Sequence, residues 1–332
     1  MKNLVVCLGA LLCGLQLSSQ KVKPDARIEI LNGEALRVLD PDAEIEIVAN
    51  GFEWTEGPLY VNEGKYLLFS DIPNNAVFKI DMDGKVSEYL RPSGYSSGKD
   101  YGDEPGSNGL LLSPQGELVL MQHGNRQVAK MKSSLDGPKA EYEVLVDQYE
   151  GKRLNSPNDG VFDKEGNLYF TDPPYGLPGK MDDPNKELDF QGLYCLTKEG
   201  KTILVDKLSR PNGVALSTDG AKLYVAVSNP EHAVWYEYDI LDVGKAVNKR
   251  IFYNVTELVG QKGQQGLPDG MKMHSKGFLF ATGPGGVWVF TTEGRPVARI
   301  HTGEKTSNCA FDATETRLFM TADDYILSVR LR

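Results

Sequence analysis

Four oxygen-bearing side chains, Glu56, Asn158, Asn212 and Asp269, occupy similar places in a series of short motifs. The motifs are Trp54-Thr55-Glu56-Gly57-Pro58, Pro157-Asn158-Asp159-Gly160, Pro211-Asn212-Gly213 and Pro268-Asp269-Gly270. Ser107-Asn108-Gly109 and Ser307-Asn308-Cys309 bring the series to six, recurring roughly every 50 residues. Two carboxylates and two amide oxygens facing one point would neutralise a divalent cation and leave room for water and substrate. Oxygen-only ligation suits a hard ion, Ca2+ first and Mg2+ second. Zn2+ is less well served, because His123, His232, His274 and His301 form no HExxH and the chain has no CxxC. The competing reading is local: Asn-Gly and Asp-Gly are ordinary turn formers, whose side chains cap backbone while glycine accepts positive φ. The shared phase of the motifs keeps a metal centre open beside that reading.

Each motif precedes a run with strand character, and the runs repeat an internal rhythm. Gly160-Val161-Phe162-Asp163, a turn at Lys164 to Asn167, Leu168 to Asp172, Gly192 to Leu196 and Thr202 to Val205 make one unit. Gly213 to Leu216, Lys222 to Ala226 and Val234 to Tyr238 restate it. Short β-branched and aromatic runs between glycine turns are a strand signature. Four strands in each unit describe a propeller blade, and six motifs give six blades. The fold expected is therefore all-β, a six-bladed β-propeller of four-stranded antiparallel blades; a β-sandwich or barrel is the alternative. Cys309 to Arg332 holds only about three strands, so an N-terminal strand, Glu44 to Ala49, is expected to close the ring and remove exposed edges. Ser93 to Gly106, Pro173 to Phe190 and Lys245 to Leu267 depart from the rhythm, as covers over a ligand cavity or as surface decoration. The only helical turn expected is at Val255 to Val259.

Residues 1–20 read as an export signal: Lys2, then an apolar stretch from Leu4 to Leu17, then Ser18-Ser19-Gln20. A buried N-terminal strand is the alternative, and Cys13 raises lipidation, although Leu12 replaces the usual small residue. The mature chain, residues 21–332, reads as a single domain that is periplasmic or secreted, with no integral membrane segment. A formal charge of −10 and the lack of a basic block exclude a nucleic-acid surface. Cys195 and Cys309 read as two unrelated buried thiols. Oligomeric state stays open.

Further phrases carry a family resemblance: Phe69-Ser70-Asp71-Ile72-Pro73-Asn74-Asn75, Gln122-His123-Gly124-Asn125-Arg126, Leu154 to Gly160, Tyr169 to Leu177, Arg210 to Gly213 and Leu267 to Met271. In this order the chain resembles the senescence marker protein/gluconolactonase/luciferin-regenerating-enzyme family from about residue 50 to 331. Pro173-Pro174-Tyr175-Gly176 points to its bacterial gluconolactonase-like branch. The resemblance implies a six-bladed propeller with a divalent cation in its channel, usually calcium, held by Glu56, Asn158, Asn212 and Asp269. It implies Asn108, Asp159 and His123 as substrate-pocket positions. It also implies hydrolysis of lactones, sugar lactones among them, with organophosphates taken by some members. The approach to Asn108, Tyr101 to Ser107, is longer than is usual in the family.

The resulting expectation is a calcium-dependent lactonase in which water attacks a metal-polarised carbonyl. Asp269 is the favoured proton acceptor, and Asn158 and Asn212 orient ion and substrate. No serine or cysteine nucleophile and no organic cofactor is required. Two other readings remain: a related hydrolase or isomerase acting on another sugar acid or ester, and a non-catalytic exported binding propeller.

Overall fold

Short runs of Val, Leu, Phe and Tyr fold among the described residues as antiparallel strands in six blade sheets, beside one two-stranded hairpin of Gln148–Tyr149 and Lys152–Arg153. The computed structural model describes residues 21–98 and 101–332, so the export signal expected over residues 1–20 lies outside the described residues. Blade 1 holds Thr55–Val61, Tyr66–Asp71, Ala76–Ile80 and Val86–Leu90. Blade 2 holds Ser107–Leu112, Leu118–Gln122, Gln127–Met131 and Tyr142–Val146. Gly160–Phe162, Leu168–Asp172, Gly192–Leu196 and Thr202–Lys207 make blade 3. Pro211–Leu216, Lys222–Asn229, His232–Asp242 and Lys245–Asn254 make blade 4. Blade 5 runs through Met271–His274, Phe278–Gly283, Gly286–Thr291 and Pro296–His301, and blade 6 through Thr306–Phe311, Arg317–Ala322 and Tyr325–Arg330. Hairpins between strands turn at residues such as Gly220, whose φ of 76° an L side chain adopts only with strain.

The first strand of each blade contacts the first strands of both neighbours, so these strands form a closed ring. Six buried apolar clusters match six blade-to-blade seams. Leu68, Leu110 and Leu120 join blades 1 and 2, and Leu67, Phe69 and Ile326 join blade 1 to blade 6. Polar bonds fasten the same seams near the axis. Ser70 Oγ donates to Asn108 O at 2.9 Å, Thr171 Oγ1 to Asn212 O at 2.7 Å and Thr282 Oγ1 to Ser307 O at 2.9 Å. Ser228 Oγ donates to Pro268 O, Gly109 N to Asn158 O, and Ser307 Oγ to Thr55 O, which closes the circle.

Ile45–Asn50 pairs antiparallel with Tyr325–Arg330 and supplies the missing fourth strand of blade 6. Two blades exceed the four strands expected. Arg27–Ile30 adds to the outer edge of blade 5 and Lys21–Val22 to that of blade 6. Both extra strands are too short and too charged to stand out in the sequence, and pairing with an existing edge creates them. Lys245–Asn254, expected within an insertion, is instead the outer strand of blade 4; its charges face solvent at a sheet edge. Thr256–Leu258 forms the expected helical turn as a 3-10 segment. Cys195 and Cys309 are both free and buried. Among the described residues no helix is long and apolar enough to cross a membrane.

The six motifs are not hairpin turns. Glu56, Asn108, Asn212 and Asn308 lie within first strands, and Asn158 and Asp269 directly precede theirs. The ladder register shifts at Glu56/Leu59, Ser107/Leu110, Pro211/Val214 and Thr306/Asn308, so bulges occur at the motifs themselves. A bulge re-aims a side chain at the cost of a ladder bond. The motif glycines serve close approach: a Cβ on Gly213 would lie 2.2 Å from Asp269 O, and one on Gly109 would lie 2.8 Å from Asn158 O.

Candidate active site

All six blades contribute to one cavity of about 350 Å3. Glu56, Asn108, Asn158, Asn212 and Asp269 line it from blades 1 to 5, and Thr306 and Ser307 from blade 6. The bulges and closely packed glycines put these side chains there. Each of the three insertions reaches the wall as well: Glu104 from the first, Tyr175 from the second, Gly266 and Leu267 from the third. A larger cavity, about 690 Å3, lies by the hairpins at the other end of the first strands and contains none of these oxygens.

Four side-chain oxygens of residues lining the cavity lack partners. Asn108 Oδ1, Asn158 Oδ1, Asn212 Oδ1 and Asp269 Oδ1 are buried with no hydrogen bond among the described residues. Asn212 Nδ2 donates to Ser228 Oγ at 3.0 Å, which fixes the amide and leaves its oxygen free. Burying an acceptor without a donor is costly. Four such acceptors around one cavity fit a cation. Asn308 is used differently: its Oδ1 accepts from Cys309 N at 2.9 Å and from Lys272 Nζ at 3.4 Å.

Charge points the same way. Burial pushes Glu56 up to about 8, against the Gly57 N–H bond, and the charge of Asp159 adds to the rise. Burial raises Asp269 well above the usual carboxylate range, and Glu56 and Asp159 raise it further. Asp159 is also raised by burial, with Lys272 the main opposing charge. Glu104 adds to the rise of both Glu56 and Asp269, so ionised carboxylates crowd the ring centre and a bound cation would relieve them. Among the described residues no three His, Cys, Asp or Glu side chains cluster as metal ligands. A site here would therefore combine Glu56 and Asp269 with the amides of Asn158 and Asn212, a donor set for a hard ion.

Asp159 and His123 are buried but do not line the cavity. Asp159 Oδ1 accepts from Gly160 N at 2.8 Å. His123 Nδ1 lies 3.2 Å from Glu104 Oε2, just behind the wall. Glu104, Tyr175 and the seam hydroxyls were missed by sequence reasoning. The hydroxyls did carry a signal, since Ser70, Thr171, Ser228, Thr282 and Thr321 recur late in the second strands. Glu104 and Tyr175 belong to no repeat, so periodicity could not find them.

The protein is thus a six-bladed propeller with an oxygen-lined cavity at the ring centre. The chain belongs to the SMP-30/Gluconolactonase/LRE-like family, whose family model matches residues 54–324. It is 38% identical over 300 residues to a gluconolactonase of Zymomonas mobilis, covering 89% of this chain and 83% of that one. It is 27% identical over 279 residues to the diisopropyl-fluorophosphatase of Loligo vulgaris, covering 80% and 84%. The solved structure of a gluconolactonase from Xanthomonas campestris aligns with TM-score 0.80 at 27% identity, covering 95% of this chain and 98% of that one.

Proposed function

We propose that the protein is a gluconolactonase-like hydrolase that opens lactones, most favourably sugar lactones, with a divalent cation held at the ring centre. The observation that carries the metal reading is the set of unpartnered buried oxygens on Asn158, Asn212 and Asp269 beside Glu56. These four would hold the ion, Ca2+ by donor type. When bound, such an ion supplies Lewis-acid polarisation of the carbonyl and charge for the oxyanion. The lactone reading is supported by the gluconolactonase relatives, which match over most of both chains.

The residues divide the work. Water adds to the lactone carbonyl carbon, the ring C–O bond breaks, and the product is a hydroxy acid. In this reading the Asp269 carboxylate accepts the water's proton, and Asn158 orients the carbonyl. Asn108 faces the same cavity as a hydrogen-bonding partner for substrate. Asp159 and His123 support the pocket from behind its wall. No nucleophilic side chain is needed, because water attacks directly. Residues 21–332 are read as one domain, exported after removal of residues 1–20; the N-terminal mass of the secreted protein tests that part.

The test is hydrolysis of aldonolactones, aliphatic lactones and phosphotriesters with and without Ca2+, with bound metal measured beside turnover. Glu56→Gln and Asp269→Asn should each weaken Ca2+ binding about tenfold or more by removing one ligand charge. At saturating Ca2+, Glu56→Gln should recover more turnover, because only Asp269 also handles the proton. Equal recovery removes Asp269 from the proton's path. Unchanged Ca2+ binding in both variants removes the ion from the ring centre.

A further inference from the structure

We propose that Glu104 is the residue by which this site selects polyhydroxylated lactones, its carboxylate accepting hydrogen bonds from substrate hydroxyls. The proposal rests on the lactonase reading and names the substrate feature recognised. Glu104 is neither in a first strand nor in a motif; it lies in the stretch Tyr101 to Ser107 that lengthens the approach to Asn108. Its side chain lines the cavity with Glu56, Asn158, Asn212 and Asp269.

Its position is held from several sides. Oε1 lies 3.0 Å from Lys180 Nζ, and Oε2 lies 3.2 Å from Nδ1 of buried His123. Lys180 Nζ also bonds to Tyr175 O within the second insertion, so its pairing with Glu104 ties the first insertion to the second. Next to Glu104 the backbone is tightly packed. A Cβ on Gly94 would come within 2.3 Å of Pro105 O, and one on Gly124 within 2.6 Å of the same atom. Gly106 N donates to Ile72 O at 3.0 Å and His123 N to Gly106 O at 3.1 Å.

This carboxylate differs from its neighbours in charge state. Burial would raise it, but His123 and Lys180 outweigh burial and hold it below the usual range. An ionised carboxylate only accepts, at about four lone-pair sites; Lys180 fills one and His123 Nδ1 lies near Oε2. The remaining sites suit hydroxyl donors. A carboxylate without a hydroxyl partner gains nothing from an aliphatic lactone, and a site built to hydrogen-bond hydroxyls rejects analogues lacking them. Glu104 is thus distinct from Glu56 and Asp269, whose pairing is with the cation.

The experiment compares glucono-δ-lactone with δ-valerolactone in wild type, Glu104→Gln and Lys180→Met, at saturating Ca2+. The ratio of the two kcat/KM values should fall about 10- to 100-fold in Glu104→Gln, the range of a charge-assisted hydrogen bond. It should fall less in Lys180→Met, which keeps the carboxylate but loosens it. Calorimetry with the neutral, uncleavable δ-gluconolactam and δ-valerolactam gives the same comparison as binding. The expected result is a similar loss of preference in Glu104→Gln, with unchanged melting temperature as the folding control. An unchanged preference in that variant overturns the role of Glu104. If wild type cleaves neither lactone, the lactonase reading fails, while the lactam preference still decides whether Glu104 recognises hydroxyls.

Discussion

At the scale of single residues the ring centre is a problem in charge. Asp159 raises Glu56, and Glu56 and Asp159 both raise Asp269, while Lys272 is the main charge opposing the rise that burial imposes on Asp159. Lys272→Met would make the ring centre one charge more negative, which favours a trivalent over a divalent guest. Tb3+ affinity, read by luminescence, should therefore gain at least about tenfold on Ca2+ affinity, read by calorimetry. An unchanged ratio would show that Lys272 takes no part in the balance. The candidate ligands were legible in the sequence because six blades repeat them in phase. Their surroundings were not: Lys272 sits in an unremarkable Met-Lys-Met run, and Glu104 reaches the cavity only because its loop folds back over the ring. Asn308 shares the motif's phase yet spends its oxygen on Cys309 and Lys272, a difference set by tertiary contacts alone.

At the scale of elements, motif glycines and outer strands carry separate loads. Reading Asn-Gly as a turn was reasonable from local propensity, but the seam between blades decides the matter. Gly213 has no room for a Cβ because the backbone of Asp269 occupies the place. Gly213→Ala should cost at least about 2–3 kcal/mol through overpacking, and should also weaken Ca2+ binding by displacing Asp269. Denaturant melts and calorimetry on one preparation check both effects; loss of neither would return Gly213 to the role of turn former. The outer strand Arg27–Ile30 is held more lightly. Its Glu29 Oε2 lies 2.8 Å from His301 Nε2, and this hydrogen bond holds the Glu29 carboxyl below its ordinary range, against burial. A lowered carboxyl adds stability above the unfolded value near 4.5 and loses it as pH falls through the folded value. The Glu29 side chain is 43% exposed, so solvent screening keeps the effect small and local. Protection factors at residues 27–30, corrected for the intrinsic pH dependence of amide exchange, should fall below about pH 4.5 before those of blade 5, and Glu29→Gln should remove that pH dependence.

For the whole molecule, the decisive structure is the join between chain ends. The need for it was legible because the C-terminal tract is one strand short of a blade, and Ile45, Ile47 and Ala49 alternate as a half-buried strand should. The two further strands before it were not legible, since they depend on edges that exist only once the ring has closed. These two layers should respond differently to truncation. A chain beginning at residue 32 loses Lys21–Val22 and Arg27–Ile30 but keeps Ile45–Asn50 on Tyr325–Arg330. It should stay a closed ring with a modest fall in melting temperature and unchanged Ca2+ affinity. A chain beginning at residue 51 also loses Ala35, Val38, Leu39, Ile45 and Ala49 from the clusters joining blade 6 to its neighbours. Burial of a large apolar side chain is worth about 1.5–3 kcal/mol, so the loss approaches the whole stability of an ordinary domain at about 5–15 kcal/mol. It further bares the edge of Tyr325–Arg330, a template for pairing with another chain. Light scattering after size exclusion should show the first truncation unchanged in mass and the second aggregated or exchanging strands. A second truncation that stayed folded, of unchanged mass and able to bind Ca2+ would mean the apolar seams close the ring without the N-terminal strand.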